Sequence, residues 1–244
     1  ALYILGQIFH VKQDPEKAAQ YYNQVAWKYP DADEAVAYFE RKSLQLNEVT
    51  VFKPGEAVTI NIRHRNIEEA YFQIYRVDLM KLYLKEKNLN RITNIKLSGI
   101  SPLIEESRIL AEGRDYQDGE TDVALNLKDE GAYLIICRGD ELFASGLVLI
   151  TPFKIEIQED SESGRLRVNV TDTIKGEYAA NVHVKVIGSN NAQFVSGETD
   201  LRGIFIADDI QGVATVIVRD RGNRYAFYTG GDWLGEEESY YYEE

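Results

Sequence analysis

Val58-Thr59-Ile60-Asn61-Ile62-Arg63 is the stretch on which the fold turns. Apolar Val58, Ile60 and Ile62 alternate with polar Thr59, Asn61 and Arg63, the period of a strand with one face buried and one face in water. Just before it, Lys53-Pro54-Gly55-Glu56 reads as a turn: proline fixes φ and glycine supplies the positive φ that a type II turn needs. Upstream the period is helical instead. Leu2, Leu5, Ile8 and Phe9 share one face of a first helix. Asp14-Pro15-Glu16 starts a second, with Asp as cap and Pro in the first turn, and Ala18, Tyr21, Tyr22 and Val25 carry its stripe as far as Pro30. A third helix is predicted to open at Asp33 and to carry Val36, Phe39 and Leu46. The fold class expected is therefore mainly β with an N-terminal α-helical segment.

Downstream, Tyr71 to Val77 and Val123-Leu125-Leu127 read as strands, and Ala132–Cys137 with Leu142–Ile150 as a hairpin around Gly139-Asp140. Asp78 to Asn88, with Leu79, Leu82 and Tyr83 among lysines, reads as an inserted helix; residues 89–106 read as loop with some helix. After Pro152 about seven further strands follow from Phe153 to Tyr228, with turn signals every 8–12 residues as in a β-sandwich. The predicted organisation is a helical segment over 1–46, a sandwich with a helical insert over 47–152, a second sandwich over 153–230, and an acidic, Tyr-rich tail over 231–244.

The 244 residues carry a net charge of −13. Nucleic acid is a poor partner for such a surface and is not expected, because phosphate binding relies on clustered Lys and Arg. No apolar run approaches the roughly 20 residues that span a bilayer, so direct membrane insertion is not expected. The one cysteine, Cys137, allows neither an intrachain disulfide nor a cysteine metal site. His10, His64 and His183 lack ligand spacing. No cofactor or metal is expected.

Each motif with a chemical interpretation also has a structural one. Cys137 lies in an apolar strand with no His or Asp nearby in sequence, where burial raises a thiol's pKa and leaves it inert. Arg138-Gly139-Asp140 spells an adhesive tripeptide, yet Gly-Asp is what a hairpin turn demands. In Thr199-Asp200-Leu201-Arg202-Gly203, Asp200 is expected to bond the backbone of its own turn. Glu159, Asp160 and Glu162 lack the spacing of a twelve-residue Ca²⁺ loop. The tail is different: residues 231–244 hold six acidic residues and no basic one, with Trp233, Tyr240, Tyr241 and Tyr242 among them. Tyr and Trp are preferred interface anchors, which suits docking onto a basic protein surface.

Several of these residues resemble known families. Leu5, Gly6, Phe9, Ala18, Tyr22 and Pro30 resemble a tetratricopeptide (TPR) helical hairpin. Such a hairpin cannot bury its apolar face without stacked neighbours, so the expectation is the last repeat of a longer array, with Leu2, Leu5 and Phe9 at an interface. Phe52-Lys53-Pro54-Gly55-Glu56, Gly131-Ala132-Tyr133-Leu134-Ile135 and Ala144-Ser145-Gly146-Leu147-Val148 resemble a macroglobulin-type sandwich of bacterial α2-macroglobulin-like proteins. Val182-His183-Val184-Lys185-Val186 and Gly197 to Phe205 resemble both a second such domain and a carboxypeptidase-regulatory-like sandwich. The resemblance implies two immunoglobulin-like or macroglobulin-like β-sandwiches behind a TPR-like hairpin, and it favours an extracytoplasmic location. The family's reactive Cys-Gly-Glu-Gln is not matched by Ile136-Cys137-Arg138-Gly139. The function expected is a non-enzymatic scaffold or assembly subunit that binds a protein partner or further copies of itself. The alternatives are a fragment of an α2-macroglobulin-like protease-inhibitor trap whose bait and thioester regions lie elsewhere, and a hydrolase or metal-dependent enzyme whose polar cluster the linear sequence hides.

Overall fold

The computed structural model describes residues 1–86, 101–112 and 116–235, without the side chains of 83–86. Three helices open the chain: α1 (Leu2–Val11), α2 (Pro15–Asn23) and α3 (Pro30–Glu40). The Asp14 side chain caps α2 by accepting from the Lys17 backbone N–H at 3.2 Å, and Pro15 and Pro30 occupy first-turn positions where a missing N–H costs nothing. Their contacts build a small core of Ala18, Ala19, Tyr22, Ala32, Val36 and Phe39. α3 stops earlier than the spacing predicts. Arg41 turns extended, with ψ 137°, and Leu46 lies in a strand, not on the third helix.

The first sandwich is formed by β1 (Ser43–Leu46), β2 (Val49–Phe52), β3 (Val58–Arg65), β4 (Glu69–Val77), the helix α4 (Leu79–Glu86), β5 (Ile104–Ile109), β6 (Gly119–Leu125), β7 (Gly131–Gly139) and β8 (Leu142–Ile150). A three-stranded sheet ordered β1-β3-β6 packs on a five-stranded sheet ordered β2-β8-β7-β4-β5. Val58, Ile60 and Ile62 point inward together, against Phe72, Ile74, Tyr133, Ile135 and Val148. Gly55 has φ +88°, and Glu56 N–H donates to the Lys53 carbonyl at 3.1 Å, which closes the expected turn. β2 pairs with β8 in parallel, and the other ladders of this sandwich are antiparallel. Of the region 89–106 expected as loop with some helix, residues 101–103 are loop and 104–106 open a strand instead: β5 pairs with β4 from Glu69 opposite Ile109 to Ile74 opposite Ile104. Residues 87–100 lie outside the described residues.

The second sandwich comprises β9 (Phe153–Asp160), β10 (Arg165–Asp172), β11 (Glu177–Tyr178), β12 (His183–Gly188), β13 (Val195–Glu198), β14 (Ile204–Ala207), β15 (Gly212–Arg219) and β16 (Tyr225–Leu234). β10 pairs with β9, β11 and β14; the facing sheet is ordered β13-β12-β15-β16. Leu166, Val168, Val170, Val184, Val186, Val216 and Val218 form the core between them. The last strand runs further than expected. Gly231 to Leu234 belong to β16, so Trp233 is a strand residue opposite Val213 and not part of a tail. Tyr240, Tyr241 and Tyr242 lie outside the described residues.

A third apolar cluster lies between the sandwiches. Tyr75, Leu79, Leu134, Leu147 and Leu149 of the first meet Ile187, Ile217 and Tyr225 of the second, and each is buried. The alternation of the strands produces this. In β7, Tyr133, Ile135 and Cys137 face the first core while Ala132 and Leu134 face the joint; in β15, Val216 and Val218 face the second core while Ile217 faces the joint.

Candidate interaction surfaces

α1 carries no Asp, Glu, Lys or Arg, and among the described residues its outward side is uncovered. Leu2 is 36% exposed, Ile4 57%, Ile8 41% and Val11 84%. Ile4, Ile8 and Val11 fall at i, i+4 and i+7, a single stripe along the helix. The inward side is closed by aromatic rings. Tyr3 stacks on Tyr29 with ring centroids 4.9 Å apart, and Phe9 stacks on Tyr21 at 5.4 Å with an interplanar angle of 10°. Lys12 and Lys17 also lie over the Phe9 ring. Gly6 lets the two helices approach: a Cβ there would stand 2.6 Å from Cδ1 of Tyr22. The structure thus separates the residues that the helical spacing grouped. Leu2 and Ile8 face out, whereas Leu5 and Phe9 are half-buried.

The helices are fastened to the first sandwich by a polar knot at the end of β3. The Asn66 Nδ2 group donates to the carbonyls of Phe39 (2.7 Å) and Arg41 (3.0 Å), and its Oδ1 accepts from the Tyr116 N–H (2.9 Å). Those two carbonyls end α3, where the helix itself offers no partner. Asn66 has φ +52°, a conformation that asparagine tolerates better than most residues. Beside it the Arg65 side chain, 3% exposed, donates to the carbonyls of Tyr38 (3.2 Å) and Tyr116 (2.7 Å) and to Asp118 (3.2 Å). Its guanidinium also lies over the Tyr38 ring. Sequence reasoning missed this knot; an Arg-Asn pair closing an alternating strand was the available signal.

Cys137, His64, His10, Asp140 and Asp200 each have a structural setting. Cys137 is fully buried, and burial pushes its thiol up to about 12, so no thiolate is available near neutral pH. His64 bonds Thr121 at 2.9 Å, and His10 packs edge-on against Phe39. Among the described residues no group of three His, Cys, Asp or Glu side chains is arranged to hold a metal ion. Asp140 takes the turn position with φ +51° and pairs with Lys42 at 2.9 Å. Asp200 accepts from the N–H groups of Arg202 and Ile204, both at 2.9 Å, as its own turn requires. These bonds hold the Asp200 carboxyl below its ordinary range, the Ile204 N–H contributing most.

A cleft of about 420 Å³ opens at the sandwich joint between β2 and β9, bordered by Val51, Phe153, Ile155 and Phe227 with Lys53 and Lys154 beside them. A second cleft, of about 430 Å³, lies at the same end of the second sandwich and is lined by opposed charges that include Asp172, Lys175, Glu198 and Arg224.

No protein-family model matches the chain, and no curated protein matches it by sequence. Solved structures do match. A fragment of native α2-macroglobulin from Escherichia coli spanning domains MG0-NIE-MG1 superposes with a TM-score of 0.55 at 12% identity, covering 77% of this chain and 64% of that one. The NIE-MG1 fragment of the same protein gives 0.53 at 13% identity, covering 77% and 96%. The fold is that of bacterial α2-macroglobulin domains. α2-Macroglobulin from Salmonella, as its Y1175G mutant, also gives 0.53, at 12% identity, and there the match covers 77% of this chain but 12% of that one. The chain therefore spans less than two thirds of the first of these macroglobulin-like neighbours and about an eighth of the Salmonella chain.

Proposed function

We propose that this chain is a non-enzymatic scaffold or assembly subunit of a bacterial macroglobulin-like, envelope-associated protein. The observation that carries the reading is the uncovered stripe of α1. Leu2, Ile4, Ile8 and Val11 present apolar area on a helix without Asp, Glu, Lys or Arg to keep it in water, and contiguous exposed apolar area marks interaction sites. Read as a TPR-like hairpin, α1 and α2 await a stacked neighbour on that side, from a protein partner or another copy. The sandwiches then serve as a rigid spacer, and the acidic aromatic tail as a second contact that suits a basic protein surface. Similarity to bacterial α2-macroglobulin domains supports an extracytoplasmic location; among the described residues no helix is long and apolar enough to cross a membrane.

The test is sedimentation of the wild-type chain beside a Leu2→Glu/Ile8→Glu variant over a wide concentration range. Assembly that the variant loses, with unchanged circular dichroism, is the expected result. A wild type that stays monomeric at every concentration and sediments like the variant overturns the reading. The second reading is a fragment of a protease-inhibitor trap. It is favoured by the match of 77% of this chain to the NIE-MG1 fragment, 96% of whose length is covered. A full-length gene carrying Cys-Gly-Glu-Gln downstream would support it.

A further inference from the structure

We propose that the edge strand β2 and the cleft beside it receive the acidic, tyrosine-rich segment 236–244 of a second copy of this chain, added as an extended strand; the idea rests on the assembly reading above and gives it a second contact. Among the described residues β2 is the terminal strand of its sheet and pairs with β8 alone. The Leu147 N–H donates to the Glu48 carbonyl (2.8 Å) and the Thr151 N–H to the Phe52 carbonyl (2.9 Å). In a parallel ladder alternate residues turn both backbone groups to the same side. Glu48, Thr50 and Phe52 therefore face β8, and the N–H and C=O of Val49 and Val51 point to the open edge. Val51 is 52% exposed. The strand reads Val-Thr-Val-Phe, without the charge or proline by which edge strands are commonly protected from pairing.

The surroundings of that edge fit the segment Glu236-Glu237-Glu238-Ser239-Tyr240-Tyr241-Tyr242-Glu243-Glu244. The cleft offers apolar Val51, Phe153, Ile155 and Phe227, with the ammonium groups of Lys53 and Lys154 beside them. Glu56, the carboxylate of this border, accepts from the Lys53 backbone N–H at 2.8 Å, and Lys154 has one exposed partner, Glu156. In an added strand, residues two apart share a face. Tyr240 and Tyr242 would enter the cleft together, and Glu238 and Glu244, on the same face at either side, would meet the lysines. Backbone pairing supplies affinity and the alternate side chains supply selectivity, as in other strand-addition complexes.

Chain length assigns the segment to a second copy. The Gly235 N–H donates to the Ser161 carbonyl, beyond the far end of β9 from Phe153. The eight residues of β9 extend over roughly 26 Å, whereas the three steps from Gly235 to Glu238, the first residue of the docked face, reach at most about 11 Å. In this register a chain's own segment falls short of its own cleft.

The experiment uses a fluorescently labelled peptide of residues 235–244 titrated onto the chain ending at Gly235, with anisotropy as readout. Saturable binding is expected. It should weaken by about tenfold or more in the surface variant Lys53→Glu/Lys154→Glu, the scale of two lost ion pairs. It should also weaken in Val51→Pro, which removes one outward N–H and no bond to β8. Circular dichroism confirms that both variants fold. No saturable binding, or binding that both variants leave unchanged, overturns the proposal. The two ideas fail separately. An assembly lost in Leu2→Glu/Ile8→Glu but indifferent to the peptide keeps the scaffold reading alone. A peptide that binds while the α1 variant changes nothing keeps the strand addition alone.

Discussion

The helical segment meets the first sandwich through Arg65 and Asn66, whereas the two sandwiches meet through Leu134, Leu147, Leu149, Ile187, Ile217 and Tyr225. The first joint is made of directional bonds to named carbonyls. The second is made of close-packed apolar area. Their physics differ accordingly. Burial of apolar surface contributes roughly 25 cal/mol per Å² and is indifferent to direction. A buried guanidinium gives up hydration and recovers little net energy, and the Arg65 Nε is left without a partner among the described residues, yet its two terminal nitrogens find their acceptors in one arrangement only. The comparison suggests a division of labour: the apolar joint supplies strength between the sandwiches, and the polar knot fixes the orientation in which α1 is presented.

The largest expected effect tests the apolar joint. Tyr225 is fully buried there, so Tyr225→Ala should cost about 3–5 kcal/mol by the usual scale for large aromatic truncation. Chemical denaturation should show it, with the two sandwiches separating into distinct transitions. A loss below about 1 kcal/mol would mean that the joint relaxes around the missing ring and carries little of the stability.

At the polar knot the response should be local. Asn66→Ala leaves the carbonyls of Phe39 and Arg41 and the N–H of Tyr116 without their partner, at about 1–3 kcal/mol for each buried group that water cannot reach. The expected result is rapid proteolysis between residues 40 and 43 with the sandwiches intact. Asn66→Gly accommodates the positive φ while losing the same bonds. If it behaves like wild type, backbone conformation and not bonding holds this joint.

The two joints were unequally legible in the sequence. Local chemistry announced itself: the turn at Lys53-Pro54-Gly55-Glu56, the cap at Asp14, the hairpin at Gly139-Asp140 and the alternation of Val58 to Ile62 each lie within a few residues. The apolar joint left a signal that was passed over. Tyr133-Leu134-Ile135 and Leu147-Val148-Leu149-Ile150 are unbroken apolar runs, as expected of strands covered on both faces. β1 and β2 are four residues each, too short for a period to show, and Leu46 continues the helical spacing of Val36 and Phe39 by coincidence. β5 is hidden because Glu105, Glu106 and Arg108 blunt its pattern at a sheet edge. The knot at Arg65 and Asn66 joins elements about 25–50 residues apart, beyond the reach of any local rule.

A perturbation inside the helical segment sharpens the comparison. At Gly6 an added methyl would stand 2.6 Å from the Tyr22 ring, and Tyr22 is itself packed against Tyr3. Gly6→Ala should therefore force α1 off α2, at about 1–3 kcal/mol for overpacking. Hydrogen exchange should speed up in residues 2–40 and stay unchanged in β7, β8 and β15. Faster exchange in those strands as well would show that the polar knot transmits strain and does not confine it.

The smallest effect concerns the polar border of the apolar joint. Asp78 accepts from the Lys81 N–H (3.3 Å) at the start of α4 and from the Tyr225 hydroxyl (3.4 Å), and it pairs with Arg219 at 3.3 Å across the joint. Asp78→Asn keeps an oxygen for the first two contacts and removes the charge from the third. Its side chain is partly open to water, where an ion pair contributes about 1 kcal/mol or less and salt screens it. The expected loss in stability is therefore within about 1 kcal/mol at low salt, and it should vanish near 1 M NaCl because the Debye length falls to about 3 Å. Measured against Tyr225→Ala, this ranks the ring's apolar burial above the charge that touches its hydroxyl. If Asp78→Asn instead costs more than about 2 kcal/mol and ignores salt, the joint is held by its polar border, and the contrast with the knot at Asn66 disappears.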